Sequence, residues 1–206
     1  LRARSAAEMT QIDKLVREQR ADPDRVYVTG VSNGAMMSFR LGCELADRLA
    51  AIAPLAGSLV TEQAARCQPA RPLPLLMINS TDDQLVPWEG GSVRFGRRKL
   101  GNILSVPETI ARWLAFNGCH GGPTVTRDPD RDPDDGTRVR REHYSGCPRT
   151  AEVVLLAIEG GGHTWPGGSP ALGEGKVGKV SREIDAAEEI WTFFRRHARA
   201  ATAARE

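Results

Sequence analysis

The chain has 206 residues, of which 28 are lysine or arginine and 26 are aspartate or glutamate, giving a formal net charge of +2. This length is typical of one domain with a sizeable core, and we expect residues 1–206 to form a single unit. A positive excess this small does not favour nucleic acid or an anionic membrane surface as a partner. No apolar run in the sequence approaches the length that spans a bilayer.

The two ends of the chain carry separate expectations. The chain begins with Leu1 instead of a methionine, and no signal-peptide pattern follows it, so we expect a processed or incomplete product. Residues 199–206 form an alanine-rich tail that we expect to fray.

Hydrophobic periodicity predicts helices that alternate with short buried strands. In chain order, we predict a helix at 5–19, a strand at 26–29, a helix at 35–45, strands at 50–56 and 73–78, a helix at 107–116, a surface strand at 137–144, a strand at 153–158 and a closing helix. The closing helix is predicted to present one apolar face, formed by Ile184, Ala187, Trp191 and Phe194. This alternation indicates an α/β fold with a mostly parallel sheet.

The strand at 26–29 leads into a turn that matches G-x-S-x-G at residues 30–34, and a helix follows. A strand, this turn and a helix together are the setting of a nucleophile elbow. Gly30 and Gly34 leave room where strand and helix run too close for a Cβ, and the helix N-terminus offers N–H groups to a developing negative charge. A simple turn with a solvated serine is the alternative, but the flanking elements favour Ser32 as a nucleophile.

Two later strands are also followed by polar side chains. Asp82 and Asp83 follow the third predicted buried strand, and His163 follows the fourth after a glycine run. Reactive groups of parallel α/β sheets collect at the carboxyl ends of the strands. A serine hydroxyl needs an imidazole to take its proton, and a carboxylate must hold that imidazole in the right tautomer. The order Ser32, Asp82 or Asp83, then His163 fits an α/β-hydrolase.

The remaining histidines and a run of aspartates are interpreted as structural or solvated. His120 and His143 are assigned to polar loops, and His197 lies late on the closing helix. The acidic segment 127–136 lacks the glycine and glutamate that an EF-hand loop needs, so a solvated loop is favoured over a calcium site.

The sequence resembles the esterase family of polyhydroxybutyrate depolymerases and feruloyl esterases, within the α/β-hydrolases. Three motifs carry the resemblance: the run 24–36 around the elbow, D-x-x-V-P at 83–87, and G-G-G-H-T-W-P-G at 160–167. The resemblance covers nearly the whole chain and implies an α/β-hydrolase fold with helices on both faces of the sheet. One departure lies at 79–81, where the family often has His-Gly-Thr and this chain has Asn-Ser-Thr.

The resemblance implies a serine-dependent carboxylic-ester hydrolase that works through an acyl-enzyme. It identifies Ser32 as the nucleophile, His163 as the base and Asp83 as the acid, while the backbone N–H of Asn33 is the expected oxyanion donor. No metal or organic cofactor is implied. The substrate class is an ester of a small molecule, of a polysaccharide or of a polyester, and the oligomeric state stays open. The alternatives are a serine peptidase on the same fold and a catalytically impaired binding domain.

Four cysteines, Cys43, Cys67, Cys119 and Cys147, have neither metal-ligand spacing nor a C-x-x-C motif. They are either reduced and buried or paired in two disulfides, for which three connectivities exist. The resemblance implies the sequential pairing, in which each bond contributes about 3 to 3.5 kcal/mol in the chain-entropy model. Paired cysteines imply an extracellular or periplasmic protein whose signal peptide is not in this chain.

Trp88 and Trp165 each lie close in sequence to a proposed catalytic residue. A flat aromatic ring at the rim of an ester cleft can stack on substrate, so both are candidate substrate-binding residues. Ordinary packing is an equally good interpretation.

The sequence before the elbow is too short for a full α/β-hydrolase. Such enzymes take a second oxyanion donor from a loop after an earlier strand, whereas only a predicted helix precedes residue 26 here. We therefore expect an N-terminally incomplete fold, in which the strand at 26–29 is a bare sheet edge and the second donor is not in this chain. An upstream segment that completes the sheet is the favoured hypothesis, and a remnant with impaired chemistry is the alternative.

Overall fold

The computed structural model describes residues 2–96, 98–148, 151–169 and 173–199. Its helices and strands alternate along the chain, as the periodicity predicts. The elements are α1 Arg2–Gln19, β1 Tyr27–Val31, α2 Asn33–Glu44, β2 Ala51–Leu55, α3 Thr61–Ala64, β3 Leu75–Ser80, β4 Gly91–Phe95, β5 Arg98–Ile103, α4 Val106–Asn117, β6 Thr124–Arg127, β7 Arg138–Tyr144, β8 Val153–Glu159, α5 Glu174–Val177 and α6 Ala186–Phe194.

Six strands form the main sheet in the order β1-β2-β3-β8-β7-β6. The first four of these are parallel, and β7 and β6 extend the sheet with antiparallel pairing. The predicted surface strand is therefore an internal strand, β7, between β8 and β6. A separate antiparallel hairpin of β4 and β5 lies outside the main sheet. The mostly parallel sheet of the predicted α/β-hydrolase fold is confirmed.

Helices cover both faces of the sheet, so its central strands are buried on both sides. On one face, Phe39 of α2 and Trp113 of α4 pack with apolar side chains of β2, β3 and β8. On the other face, Phe193 and Phe194 of α6 pack against the alternate side chains of the same strands. Burial on both faces explains why these strands are continuous apolar runs in the sequence.

Helix α4 anchors the entry to β3, the strand that leads to Asp83. Ser105 and Glu108 form a reciprocal capping box at its start, and Gly118 ends the helix in the left-handed conformation at φ 66°. Trp113 Nε1 donates to the Leu73 carbonyl at 2.9 Å, and the Asn117 side chain bonds to both backbone groups of Leu73. These bonds fix the chain just before β3 begins.

The predicted apolar face of the closing helix is correct only in part, since Phe194 and Ile184 are buried but the other two residues are not. Trp191 is 62% exposed and Ala187 is also exposed, whereas Ile190 and Phe193 are buried. The helix begins only at Ala186, because Asp185 caps it by accepting from the backbone N–H groups of the first turn. Ile184 is buried but precedes the cap, so it does not share the helical spacing of the buried face.

The helix predicted at 5–19 is confirmed as α1, but the apolar side chains that recur along it at helical spacing are not buried. Met9 and Leu15 are 36% and 51% exposed, and only Ile12 and Val16 are half-buried. The next element, β1, lies at one edge of the main sheet, as expected for the elbow strand.

The last described residue is bound to the turn that precedes β1. Arg199 donates from its backbone and from its guanidinium to Asp24, at 2.8 Å to the carbonyl and 2.9 Å to the carboxylate. The rest of the tail predicted to fray, residues 200–206, lies outside the described residues. No helix of the described chain is both long enough and apolar enough to cross a bilayer.

Candidate active site

Ser32 lies at the junction of β1 and α2, in the strained conformation that an elbow requires. Its backbone has φ 58° and ψ −114°, in the positive-φ region that non-glycine residues seldom adopt. The surrounding structure holds it there, because its N–H donates to the Leu55 carbonyl at 2.9 Å and its carbonyl accepts from Met36. The half-buried Ser32 side chain does not cap the helix. Its hydroxyl is therefore not engaged by the α2 backbone.

Close backbone contacts around the elbow explain part of its glycine pattern. A Cβ on Gly30 would lie 2.7 Å from the Gly34 backbone, whereas a Cβ on Gly34 would meet no heavy atom within 4 Å. The prediction that both glycines avoid a Cβ clash is thus correct for Gly30 only. The sequence interpretation also missed Gly57, whose Cβ would lie 2.4 Å from Ala35 Cβ and 3.0 Å from the Ser32 carbonyl oxygen. A glycine just after a buried strand is the signal that could have identified it.

Asp83 and His163 are in direct contact. His163 Nδ1 lies 2.7 Å from Asp83 Oδ2, and the Asp83 side chain is 0% exposed. The other oxygen, Oδ1, accepts from the backbone N–H groups of Leu85 and Val86 at 2.9 and 2.8 Å. Asp82, in contrast, is exposed and accepts from the Thr81 hydroxyl. Of the two candidate aspartates, Asp83 is the one that the fold brings to His163.

Hydrogen bonds between two loops hold this pair together. The loop after β3 and the loop after β8 are joined by a bond from Asp82 N to the Gly161 carbonyl and by one from Gly160 N to Thr81 Oγ1, at 3.1 and 2.9 Å. Because β3 and β8 are adjacent parallel strands, their carboxyl ends lie side by side. The sheet thus brings the two loops together, and the bonds between them determine which aspartate reaches His163.

The glycine run before His163 packs against a segment that the sequence interpretation missed. A Cβ on Gly162 would lie 2.2 Å from the Val177 carbonyl oxygen and 2.4 Å from Gly178 Cα. The N–H of Gly162 donates to the Lys179 carbonyl, and that of His163 donates to Val177. Residues 177–179 thus form a backbone strap along the histidine loop. Only glycine fits at position 162 because the two backbones approach so closely.

The serine and the histidine are not hydrogen-bonded in this structure, although both belong to the described part of the chain. No bond joins the Ser32 hydroxyl to the His163 ring within 3.5 Å. Catalytic hydrogen bonds are often long in ligand-free enzymes and tighten only with substrate. Asn33 is the first residue of α2, and the N–H groups of a first helical turn have no partner within the helix. This N–H is the candidate oxyanion donor.

The strand end that departs from the family pattern contains an unsatisfied polar atom. Asn79 is 2% exposed, and among the described residues its Oδ1 has no hydrogen-bond partner. It lies in β3, opposite Ala157 of β8. A buried carbonyl without a partner costs about 1 to 3 kcal/mol, so this position lowers stability beside the site.

The two tryptophans are half-buried and differ in their surroundings. Trp88 packs against the core on the α2 side and also lines a cleft of ≈ 470 Å³. Trp165 packs against the core on the α6 side. The lining of the cleft comes from the loop after β3 and combines polar side chains with the apolar surfaces of Pro87 and Trp88; it comprises Thr81, Asp82, Asp83, Gln84, Pro87, Trp88 and Glu89.

Two of the other histidines bind one carboxylate away from the site. Glu152 accepts from His197 at 3.0 Å and lies 2.5 Å from His143 Nε2. His143 belongs to β7, within the strand predicted at 137–144, so its assignment to a polar loop is wrong. Burial alone would raise the pKa of Glu152, but the His197 bond and the charge of Arg196 outweigh it and lower that pKa.

The acidic segment 127–136 contains a surface loop whose backbone is bound by a buried glutamate. The buried carboxylate of Glu183 accepts from the backbone N–H groups of Arg131 and Asp132, at 2.8 and 3.2 Å. Asp130 forms an ion pair with Arg138. Across the described ranges, no group of three or more His, Cys, Asp or Glu residues is arranged to hold a metal ion.

The cysteines form the two disulfides that the resemblance implies. Cys43 is bonded to Cys67 and Cys119 to Cys147. The first bond joins the end of α2 to the loop after α3, and the second joins the end of α4 to the loop after β7. Both lie away from the loops that carry Asp83 and His163.

The known proteins that this chain resembles in sequence include esterases. The chain is 32% identical over 189 residues to "Putative esterase NocK" of Nocardia uniformis subsp. tsuyamanensis, covering 89% of this chain and 54% of that protein. It is 34% identical over 169 residues to "Feruloyl esterase B" of Piromyces equi, covering 81% of this chain and 28% of that protein. The chain therefore spans about half or less of the curated relatives it matches.

A solved structure supports the fold independently. The acetyl xylan esterase from Aspergillus awamori superposes with a TM-score of 0.52 over 93% of this chain and 66% of that one, at 12% sequence identity. An identity this low bears on the fold alone. No family model matches the chain. In sequence the chain is similar to curated esterases, and its fold is α/β-hydrolase-like.

Proposed function

We propose that this protein hydrolyses carboxylic esters through a covalent acyl-enzyme on Ser32. In this mechanism His163 is the general base and acid, and Asp83 orients it. The backbone N–H of Asn33 stabilises the oxyanion of the tetrahedral intermediate. A second oxyanion donor is not assigned within the described residues.

The observation that carries this proposal is the 2.7 Å contact between Asp83 Oδ2 and His163 Nδ1. A carboxylate only accepts hydrogen bonds, so Nδ1 holds the proton and Nε2 keeps a lone pair for the serine proton. The buried position of Asp83 keeps water from competing for this bond. The strained backbone of Ser32, at the end of β1 in the same sheet, supports its role as the nucleophile.

The proposed chemistry has two balanced halves. Ser32 Oγ bonds to the ester carbonyl carbon as its proton passes to His163 Nε2, and the carbon–oxygen bond to the alcohol then breaks as His163 returns that proton to the alcohol. Water next attacks the acyl-enzyme and gives a proton to His163. The bond to Ser32 breaks, the acid departs, and His163 returns the proton to the serine.

The acyl group is proposed from the relatives, because they include a feruloyl esterase and a bifunctional acetylxylan esterase/xylanase of Neocallimastix patriciarum. We propose that the substrate is an ester of this kind, carried by a polysaccharide or a small alcohol, and that Trp88 contacts it from the cleft wall. A hydroxybutyrate polyester is the competing substrate. The two disulfides support an extracellular or periplasmic location.

A fluorophosphonate probe and a hydrolysis panel test the proposal together. The wild-type chain should label at Ser32 and should hydrolyse at least one of the feruloyl, acetyl and 3-hydroxybutyryl esters. Matching amides should be hydrolysed more slowly than the esters, which separates an esterase from a peptidase. A folded protein that neither labels nor turns over any ester would be a binding domain, and the proposal would be wrong.

A further inference from the structure

The β4–β5 hairpin is a strongly basic segment beside the proposed site. Residues 91–103 contain three arginines and one lysine and no acidic residue. Arg94, Arg98 and Lys99 are exposed, and none of them forms an ion pair with a carboxylate in the described part of the chain. Elsewhere most surface arginines are neutralised, as Arg141 is by Asp128 and Glu189.

Two of these cations lie directly opposite each other. In the hairpin register Arg94 pairs with Lys99, one residue beyond a register shift at Val93. Like charges at opposite positions of an antiparallel pair repel and destabilise the hairpin. An anion bound between them would remove that repulsion.

The hairpin is fixed to the elbow by a small apolar cluster. Val93 and Ile103 are buried with Val86, and Met36 of α2 packs against them. The Met36 N–H donates to the Ser32 carbonyl at 3.1 Å, so Met36 lies one helical turn from the proposed nucleophile. Arg94 directly follows Val93, and its backbone N–H donates at 3.4 Å to the carbonyl of Leu85, in the loop that carries Asp83. The basic hairpin therefore lies against the loop of the proposed acid.

The cleft of ≈ 470 Å³ adjoins the hairpin and has different chemistry. Glu89, at its wall, is five residues before Arg94, a span of at most about 17 Å in an extended chain. Asp82, Gln84 and Glu89 can accept hydrogen bonds from hydroxyl groups, and the ring of Trp88 is a flat apolar surface. A ligand that suits both regions has hydroxyl groups near the reacting ester and anionic groups farther away.

We propose that the β4–β5 hairpin binds the carboxylates of an acidic polysaccharide whose ester group reaches Ser32. This substrate class rests on the proposed esterase function. Nucleic acid fits the surface less well, because its phosphate oxygens only accept hydrogen bonds and offer no donor to Asp82 and Glu89. Each sugar unit of an acidic polysaccharide carries hydroxyl groups that can donate to these side chains, beside the carboxylates that the cations would bind.

Binding can be tested apart from catalysis with the Ser32→Ala protein. Its migration in native gels should be retarded by polygalacturonate but not by neutral xylan, and 0.5 M NaCl should abolish the retardation. Arg94→Gln combined with Lys99→Gln should weaken the apparent affinity by about tenfold. The control pair, Arg20→Gln with Arg195→Gln, removes two exposed cations near the amino ends of the strands and should bind like the parent.

A charge reversal separates binding from folding. Arg94→Glu places opposite charges across from each other in the hairpin, so its melting temperature should equal or exceed that of the parent. The same variant should lose polygalacturonate binding. In the active protein, Arg94→Gln/Lys99→Gln should lower the ratio of kcat/KM for a uronate-bearing ester to that for a neutral ester by about tenfold, mainly through KM.

The outcomes distinguish this inference from the esterase proposal. If the wild-type chain hydrolyses no ester but still binds polygalacturonate through Arg94 and Lys99, the esterase proposal fails and the binding surface stands. If hydrolysis is normal but both variant pairs bind polygalacturonate alike, the inference is wrong. Equal or tighter retardation by single-stranded DNA or by anionic phospholipid vesicles also overturns it.

Discussion

Asp83 Oδ2 and His163 Nδ1 lie 2.7 Å apart, and the Asp83 side chain is fully shielded from solvent. Its neighbour Asp82 is exposed and bonds to Thr81. Two adjacent carboxylates with the same chemistry therefore have different environments. The loop after β3 assigns one to the imidazole and the other to the surface.

This difference predicts unequal effects of the same substitution. Asp83→Asn should lower kcat by about 10⁴, because an amide can donate to Nδ1 and so stabilise the wrong tautomer of His163. Asp82→Asn is the matched control and should lower kcat by less than about tenfold. Steady-state kinetics on one ester measures both, with circular dichroism to check folding. A larger loss for Asp82→Asn would show that the acid assignment is off by one residue.

The proposed role of Ser32 predicts that its replacement abolishes covalent labelling. Ser32→Ala should not react with a fluorophosphonate and should lose about 10⁶ in kcat, since the oxyanion donor alone cannot replace the nucleophile. Ser38→Ala, in the same helix, is a suitable control because that hydroxyl bonds to the Gly34 carbonyl. Turnover by Ser32→Ala close to that of the wild type contradicts the mechanism.

Crowding at the elbow predicts opposite results for two glycines. Gly57→Ala should destabilise the fold by about 1 to 3 kcal/mol, because its Cβ would lie 2.4 Å from Ala35 Cβ. Gly34→Ala introduces a Cβ that meets no heavy atom within 4 Å, and within a helix it should stabilise by about 0.5 to 1 kcal/mol. Urea unfolding measures both changes. Equal losses would mean that the elbow tolerates no side chain at either place.

The lowered pKa of Glu152 predicts a loss of stability in acid. A carboxyl whose pKa is lower in the folded state stabilises the fold above its usual pKa of 4.5, and this contribution disappears as the pH falls through the folded value. Glu152→Gln should therefore be less stable than the wild type at pH 7. The difference should shrink below pH 4.5, as followed by urea unfolding at several pH values. If the difference in the free energy of unfolding between the two proteins stayed constant across this pH range, stability would not depend on the protonation of Glu152.

The disulfides predict that no free thiol is titrated in the denatured, unreduced protein. Peptide mapping should link Cys43 to Cys67 and Cys119 to Cys147. Replacing one pair with alanine should cost about 3 kcal/mol, since the loops span 24 and 28 residues. Four titratable thiols would point to a reducing compartment.

The buried parts of the fold were predictable because periodicity and burial coincide there. The strands β2, β3 and β8 are buried on both faces, and the helix after Ser32 follows from the elbow pattern. The strand β1 was also predicted to be buried, but it lies at the sheet edge and none of its residues is fully buried. The β4–β5 hairpin was missed because its strands are short, glycine-bearing and basic, without an alternating apolar pattern. The short edge strand β6 is exposed along its whole length and gives no such pattern either.

The site was predictable at the level of strand ends but not of contacts. Sequence order placed Ser32, one of two aspartates and His163 at one edge of the sheet, and the resemblance selected Asp83. In the structure, the choice between Asp82 and Asp83 depends on hydrogen bonds between the two loops, such as the one from Asp82 N to the Gly161 carbonyl. Such bonds join residues that are far apart in sequence, and so does the contact of Gly57 with the elbow. The residue pattern within one segment of the sequence therefore does not reveal them.

The pairing of β3 with β8 also has a consequence for how the molecule forms. Asp83 and His163 are 80 residues apart in the chain, and their contact requires β8 to enter the sheet between β3 and β7. Contacts between such distant residues are slow to form, because a long loop must close first. During refolding, ester hydrolysis should return later than helical circular dichroism. The rate at which ester hydrolysis recovers would thus report the rate at which the central sheet closes.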